Sequence, residues 1–256
     1  MPKFNTTTTS PTGAADMEQF ALKTSHYGFS GTRIEDLGAS EYTLCTIVQD
    51  DSSSVEYYKM EMEKTIKKIV EACLKSPRAD NLMIRFCKFA NAFTEVHGFK
   101  RLQTIKQTDY DGVLGGGGMT ALFDASENAI AATNMYGKKL TENDFSTNGI
   151  VFIVTDGMDN VSKLLPKHVR AALQDATKKE YLESLVSILV GVNPSNEAML
   201  DDYLNRFHQE AGITQYVNIG EASPNKLARL AEFVSKSISQ QSQALGTGGP
   251  SQSLAF

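Results

Sequence analysis

No stretch of this chain stays apolar for the roughly 20 residues that a helical membrane span requires, so the sequence predicts no such span. Basic runs are just as scarce. None exceeds a pair, as at Lys67-Lys68 and Lys178-Lys179, and 25 Lys and Arg are outnumbered by 30 Asp and Glu, a net charge of −5. A mildly acidic chain gains nothing from the phosphate attraction that drives nucleic-acid binding, so no nucleic-acid partner is expected. Cysteine is limited to Cys45, Cys73 and Cys87. The number is odd, the spacing suits no metal, and each lies in an apolar pattern, which predicts buried, reduced thiols. Met1-Pro2-Lys3-Phe4 runs into threonines instead of an apolar stretch, so no secretory leader is expected and a cytoplasmic setting is.

The usual signatures of catalysis are also missing. The four histidines are His26, His97, His168 and His208. His97 falls in a strand-like pattern, and His168 and His208 fall on predicted helices. There is no Gly-x-Ser-x-Gly elbow. The glycine run Gly115 to Gly118 lacks the Lys-Ser/Thr that completes a phosphate-binding loop. Without a positioned base, acid or nucleophile, an enzyme is not expected.

What is present is material for one large α/β domain. The chain has 256 residues, 41% of them hydrophobic, with 13 Phe and 9 Tyr to build a core. Apolar β-rich runs at Tyr42 to Val48, Leu82 to Phe89, Thr94 to Phe99, Gly149 to Thr155, Leu185 to Val192 and Gln215 to Ile219 predict strands. Between them, helix-period patterns cover Val55 to Leu74, Thr120 to Tyr136, Val169 to Leu182, Glu197 to Ala211 and a last helix opened by Ser223-Pro224. Strands alternating with helices predict a doubly wound, mostly parallel sheet with helices on both faces. Residues 1–41 are expected as an N-terminal arm, with a candidate edge strand near Tyr27 to Ile34. Residues 42–244 form the domain, and 245–256 a flexible tail rich in Gly and Ser. In such folds ligands gather at the carboxyl ends of the strands, where the strand order reverses.

Three loops at predicted strand ends or helix starts carry oxygen donors and neither sulfur nor imidazole. The first is Asp50-Asp51-Ser52-Ser53-Ser54, an Asp-x-Ser-x-Ser pattern. The second is Gly115-Gly116-Gly117-Gly118-Met119-Thr120. The third is Thr155-Asp156-Gly157-Met158-Asp159. All-oxygen donor sets suit hard cations such as Mg²⁺, Mn²⁺ or Ca²⁺. A plainer reading of the first loop is that Asp50, Asp51, Ser52 or Ser54 only caps the following helix.

These three pieces, in this order, resemble the metal-ion-dependent adhesion site of von Willebrand factor A-type domains, over about Tyr42 to Gln240. The resemblance implies that Ser52, Ser54 and Thr120 ligate one Mg²⁺-class ion through hydroxyls, with Asp50 and Asp156 holding it directly or through water. It implies a rim of Asp51, Ser53, Gly117, Gly118, Met119, Gly157 and Met158 around an open coordination position, suited to a partner's Asp or Glu carboxylate. Asp51 and Asp159 are expected as solvated rim charges or aids to orientation, not as ligands. Ser53 and Val55 depart from the family's usual Gly and Met, and Tyr58-Lys59 replaces the acidic pair that builds a second ion site in some members. The resemblance further implies a binding or assembly module like intracellular prokaryotic and phage members, with assembly through the tails. The alternative is a metal-dependent phosphohydrolase, which would want Asp-x-Asp where Asp50-Asp51-Ser52 stands.

Overall fold

The computed structural model of the chain describes residues 17–23, 27–192 and 198–256. The arm expected over the first fifteen residues, and the predicted helix start at Glu197, lie outside the described residues. In chain order the elements are β1 (Met17–Phe20), β2 (Phe29–Thr32), β3 (Glu41–Asp50), α1 (Lys59–Leu74), β4 (Leu82–Phe89) and β5 (Phe93–Arg101). There follow α2 (Leu122–Thr141), β6 (Ser146–Thr155), α3 (Pro166–Lys178), β7 (Leu185–Gly191), α4 (Ala198–Ala211), β8 (Gln215–Asn218) and α5 (Pro224–Thr247).

The strands form one eight-stranded sheet in the order β1-β2-β5-β4-β3-β6-β7-β8. Its middle is parallel, and only the β1–β2 and β4–β5 pairs are antiparallel. The central strands are apolar at consecutive positions because both of their faces are covered. Cys45, Ile47, Ile150, Phe152, Ile188 and Val190 join a core with α1 and α5, while Val48, Val151, Ile153 and Leu189 join one with α2 and α4. The helices obey the same logic. Met62, Ile66, Ile69, Val70 and Cys73 form one stripe of α1 and are buried. At α5, Ser223 holds an extended cap conformation before Pro224, and Gly248 closes the helix in the left-handed region with φ of 66°. The three cysteines are free and buried.

The edge nearest the N-terminus is a β1–β2 hairpin laid beside β5. A buried polar cluster holds it there. Ser30 donates from its amide and its hydroxyl to Glu95 at 2.9 and 2.6 Å, and the same carboxylate accepts from Arg85 Nε at 2.7 Å. The C-terminal segment, expected as a flexible tail, follows the surface of the domain instead. The Phe256 ring stands edge-on to Phe233 with Arg229 over its face, and the Leu254 carbonyl accepts from Gln215 at 2.9 Å.

From β3 the chain winds outward through β4 and β5, and from β6 it winds the other way through β7 and β8. The strand order therefore reverses between β3 and β6. The carboxyl ends of those two neighbours are the place where such a sheet leaves a crevice. No helix among the described residues is long and apolar enough to cross a membrane.

Candidate functional site

Asp50 is the last residue of β3 and Asp156 follows the last residue of β6. The register pairs Gln49 with Val154, so the two strands deliver their terminal carboxylates side by side. Asp50 is fully buried. Its Oδ1 accepts the Ser52 amide at 2.9 Å and its Oδ2 accepts the Thr155 hydroxyl at 2.6 Å. Asp156 accepts the Ser54 hydroxyl at 2.8 Å, and Ser54 Oγ lies 3.3 Å from Ser52 Oγ. Thr120 closes the group from the second loop. A Cβ added to Gly157 would meet Thr120 Oγ1 at 3.1 Å and Asp50 Oδ2 at 3.8 Å, so both oxygens face the same small space. The five residues expected as ligands thus come together.

Burial raises the pKa of both carboxylates. The Asp50 carboxyl is pushed up to about 6, chiefly by desolvation and next by the charge of Asp156. Desolvation also raises Asp156, while Tyr58 and Ser54 pull it back down. Among the described residues neither carboxylate forms an ion pair with a Lys, Arg or His. No group of three or more His, Cys, Asp or Glu that could hold a metal occurs among the described residues. The donor set here is instead two carboxylates and three hydroxyls, which fits a hard divalent ion that accepts neutral oxygen ligands.

The helix-cap reading of the first loop does not hold. Residues 53–57 form a short 3-10 turn, Tyr58 occupies the cap position of α1, and no side chain bonds to the helix there. The loop's hydroxyls are left free to point across the sheet end.

The rim residues divide. Ser53, Gly117, Gly118 and Met119 are exposed. Met158 is half-buried and packs against the α2 and α4 core. Of the two roles expected for Asp51, the contacts match an aid to orientation and not a solvated charge, because it is buried and clamps the glycine loop. Its Oδ1 accepts the amides of Gly115 and Gly116, both at 2.8 Å, and its Oδ2 pairs with Lys88 at 2.8 Å. Asp159 likewise reaches inward, accepting the Phe123 amide at 3.3 Å near the start of α2.

Several residues that hold the site carry no local sequence signal. Asn160 brackets Thr120: its side chain accepts the Thr120 amide at 2.8 Å and its own amide donates to the Thr120 carbonyl at 3.0 Å. Asn91 accepts the Met119 amide. The Tyr58 hydroxyl is buried beside Asp156, whose charge opposes its ionisation after desolvation. His97, by contrast, is a core residue of β5. Its Nε2 lies 2.8 Å from the Tyr110 hydroxyl, and burial lowers its pKa to about 4.

Gly116 and Gly117 look alike in sequence and differ in their surroundings. Gly116 has φ of 67°, and an added Cβ would stand 2.8 Å from Glu56 Cα, whereas Gly117 has open space. Gly116→Ala should cost about 1–3 kcal/mol of stability. Gly117→Ala should stay within about 0.5 kcal/mol of the parent. Urea unfolding of the two variants checks the contrast, and equal losses would contradict it.

No protein-family model matches the chain, and no curated protein resembles it closely in sequence. Solved structures do share its fold. The PilB minor pilin from Streptococcus sanguinis superposes with a TM-score of 0.56 at 13% identity, over 86% of this chain and 66% of its own. Proximal thread matrix protein 1 (PTMP1) from the mussel byssus gives 0.54 at 21% identity, over 78% and 47%. A second crystal structure of that byssus protein, with a zinc-occupied MIDAS motif, gives 0.51 at 21% identity. The chain therefore spans about two thirds of the pilin and about half of the byssus protein. At these identities the likeness is one of fold.

Proposed function

We propose that this chain is a von Willebrand factor A-type module that binds a protein partner through one divalent ion held by Asp50, Ser52, Ser54, Thr120 and Asp156. The observation that carries the reading is the pair of carboxylates, Asp50 fully buried and Asp156 half-buried, without a cationic side chain to neutralise them, ringed by three hydroxyls where the strand order reverses. Two buried like charges are costly unless a positive charge joins them. The shared fold of the byssus protein, whose MIDAS motif has been seen with zinc, supports the same reading.

In this reading Ser52, Ser54 and Thr120 present neutral oxygens while Asp50 and Asp156 supply charge. The Asp51–Lys88 pair holds the glycine loop and Asn160 holds Thr120, so the donors are set before anything binds. A bound Mg²⁺, Mn²⁺ or Ca²⁺ would supply a charged position for a carboxylate oxygen of a partner Asp or Glu. The phosphohydrolase alternative is disfavoured by Asp50 itself. Both of its oxygens are engaged and it is fully buried, so it is not placed to attack a substrate. We propose a reducing, intracellular setting, supported by the three free buried thiols.

Isothermal calorimetry with Mg²⁺, Mn²⁺ and Ca²⁺ tests the site. Thr120→Ala should weaken divalent binding by about tenfold or more, with little change in the melting temperature of the metal-free protein. Unchanged affinity in that variant, or no divalent uptake by the parent, would refute the proposal.

A further inference from the structure

Among the described residues seven large apolar side chains are exposed: Tyr57, Met60, Leu74, Met119, Val161, Leu165 and Met199. Exposed apolar residues scattered singly over a surface mean nothing in particular. These are not scattered. Tyr57 and Met60 lie in the turn and first helical residues after β3, and Met119 ends the glycine loop. Val161 and Leu165 lie between β6 and α3, and Met199 is in the first turn of α4 after β7. Helices that follow parallel strands begin at the carboxyl edge of the sheet. Six of the seven therefore share the edge that carries Asp50 and Asp156, and only Leu74, at the far end of α1, does not.

The loops bearing them are joined into one surface. The Ser53 amide donates to the Gly118 carbonyl at 3.2 Å, and the Asn160 amide to the Thr120 carbonyl at 3.0 Å. The Ser162 hydroxyl accepts the amides of Phe123 and Asp124, both at 3.1 Å. An apolar residue just before a helix can serve by packing onto the first turns, but small polar and acidic residues are otherwise favoured at helix starts. Tyr57 is 91% exposed and Met60 is 63% exposed, so neither is needed by the core. On the α3 side Lys163 and Lys167 are exposed, and neither forms an ion pair among the described residues.

We infer that this edge is a docking surface for a polypeptide segment in which an acidic residue is flanked by large apolar ones. The inference rests on the metal-dependent reading above and adds the context of the acidic residue. The acid is chosen by charge complementarity: the central ion of that reading and Lys163 and Lys167 all favour a carboxylate. The apolar flanks are chosen by Tyr57 and Met60 on one side and Val161 and Leu165 on the other. Methionine suits such a surface, because its unbranched thioether adapts to partners of different shape.

The test is selection of random linear peptides by the full chain in Mg²⁺, followed by binding of the best peptide to variants. Enriched peptides should carry Asp or Glu beside Leu, Ile, Met or Phe. Met60→Ser and Leu165→Ser should each weaken the best peptide by about tenfold, as for apolar anchors elsewhere, while calorimetric Mg²⁺ uptake stays unchanged. Acidic peptides with purely polar flanks, or full affinity in both variants with uptake intact, would overturn the surface alone. Loss of peptide in the variants with no Mg²⁺ uptake by the parent would overturn the metal reading and leave the surface standing. Sedimentation that shows the parent pairing with itself through this edge, and the variants not, would replace the peptide with a second copy and overturn the inference.

Discussion

Divalent metal should raise the unfolding temperature of this protein by on the order of 10 °C at pH 7 and by almost nothing at pH 4. Asp50 carries the effect. Burial and the Asp156 charge lift its carboxyl from 3.8 to about 6 in the folded chain. The fold thus holds this proton to a higher pH than the unfolded chain does, and the contribution of Asp50 to metal-free stability is fully present below about 4. It falls as pH rises through about 6. A rise of about two pKa units corresponds to about 3 kcal/mol lost at pH 7. For a chain of this size that is worth about 6–12 °C. Asp156 is raised in the same direction and adds to the loss. A divalent ion would offset this penalty at neutral pH, and protons would displace it in acid. Asp50→Asn sharpens the test. Without metal it should melt above the parent at pH 7, because the amide oxygen still accepts from Ser52 and the amide nitrogen can donate to the Thr155 hydroxyl, which turns its own proton to the Gly157 carbonyl, with no buried charge left, and it should no longer respond to divalent ions. Differential scanning calorimetry across pH with EDTA or Mg²⁺ reads all three arms. An Asp50→Asn variant that, without metal, melts no higher than the parent at pH 7 would contradict the assignment.

The second large effect lies away from the loops. Glu95→Ala should cost about 3–5 kcal/mol, since it leaves the Arg85 charge buried without its counter-ion. Arg85 is wholly inaccessible. It donates to Glu95 at 2.7 Å and to Asn128 at 3.0 Å, with the rings of Phe93, Phe29 and Phe99 5.4–6.0 Å from its guanidinium carbon. Glu95 is also the acceptor for both donors of Ser30, so its loss should loosen the β1–β2 edge before the rest of the sheet. Replacing both charges, as Arg85→Met with Glu95→Leu, should cost less than Glu95→Ala alone, because no uncompensated charge remains. Guanidinium denaturation gives the energies, and hydrogen exchange on residues 29–32 gives the order of opening. A double variant less stable than the single would show that the pair contributes more than mutual compensation.

The central elements were legible because their periods are local. Leu82 to Phe89 and Leu185 to Gly191 are largely buried on both faces and read as mostly apolar runs despite Arg85, Lys88 and Ser187, and the α1 stripe repeats at helical spacing. β1 was not legible: four residues, Met17 to Phe20, at a sheet edge carry too little pattern. The course of the C-terminal segment was not legible, because its Gly and Ser composition says nothing about the surface of α5 beneath Phe256. What Asp51 orients was not legible for a related reason. A carboxylate next to a loop serine looks solvated until Lys88, 37 positions later by sequence number, and the amides of Gly115 and Gly116 come to it.

The sequence by itself determined that strands alternate with helices, and that oxygen donors sit where strands end and helices begin. Those features depend on residues within a few positions of one another. Only the tertiary structure decided that Asp50 and Asp156 stand on adjacent strands and that Thr120 is turned toward them. It alone decided that Tyr57, Met60, Met119, Val161, Leu165 and Met199 share an edge. Strand order and loop docking are set by contacts between residues far apart in the chain, and no local pattern encodes them.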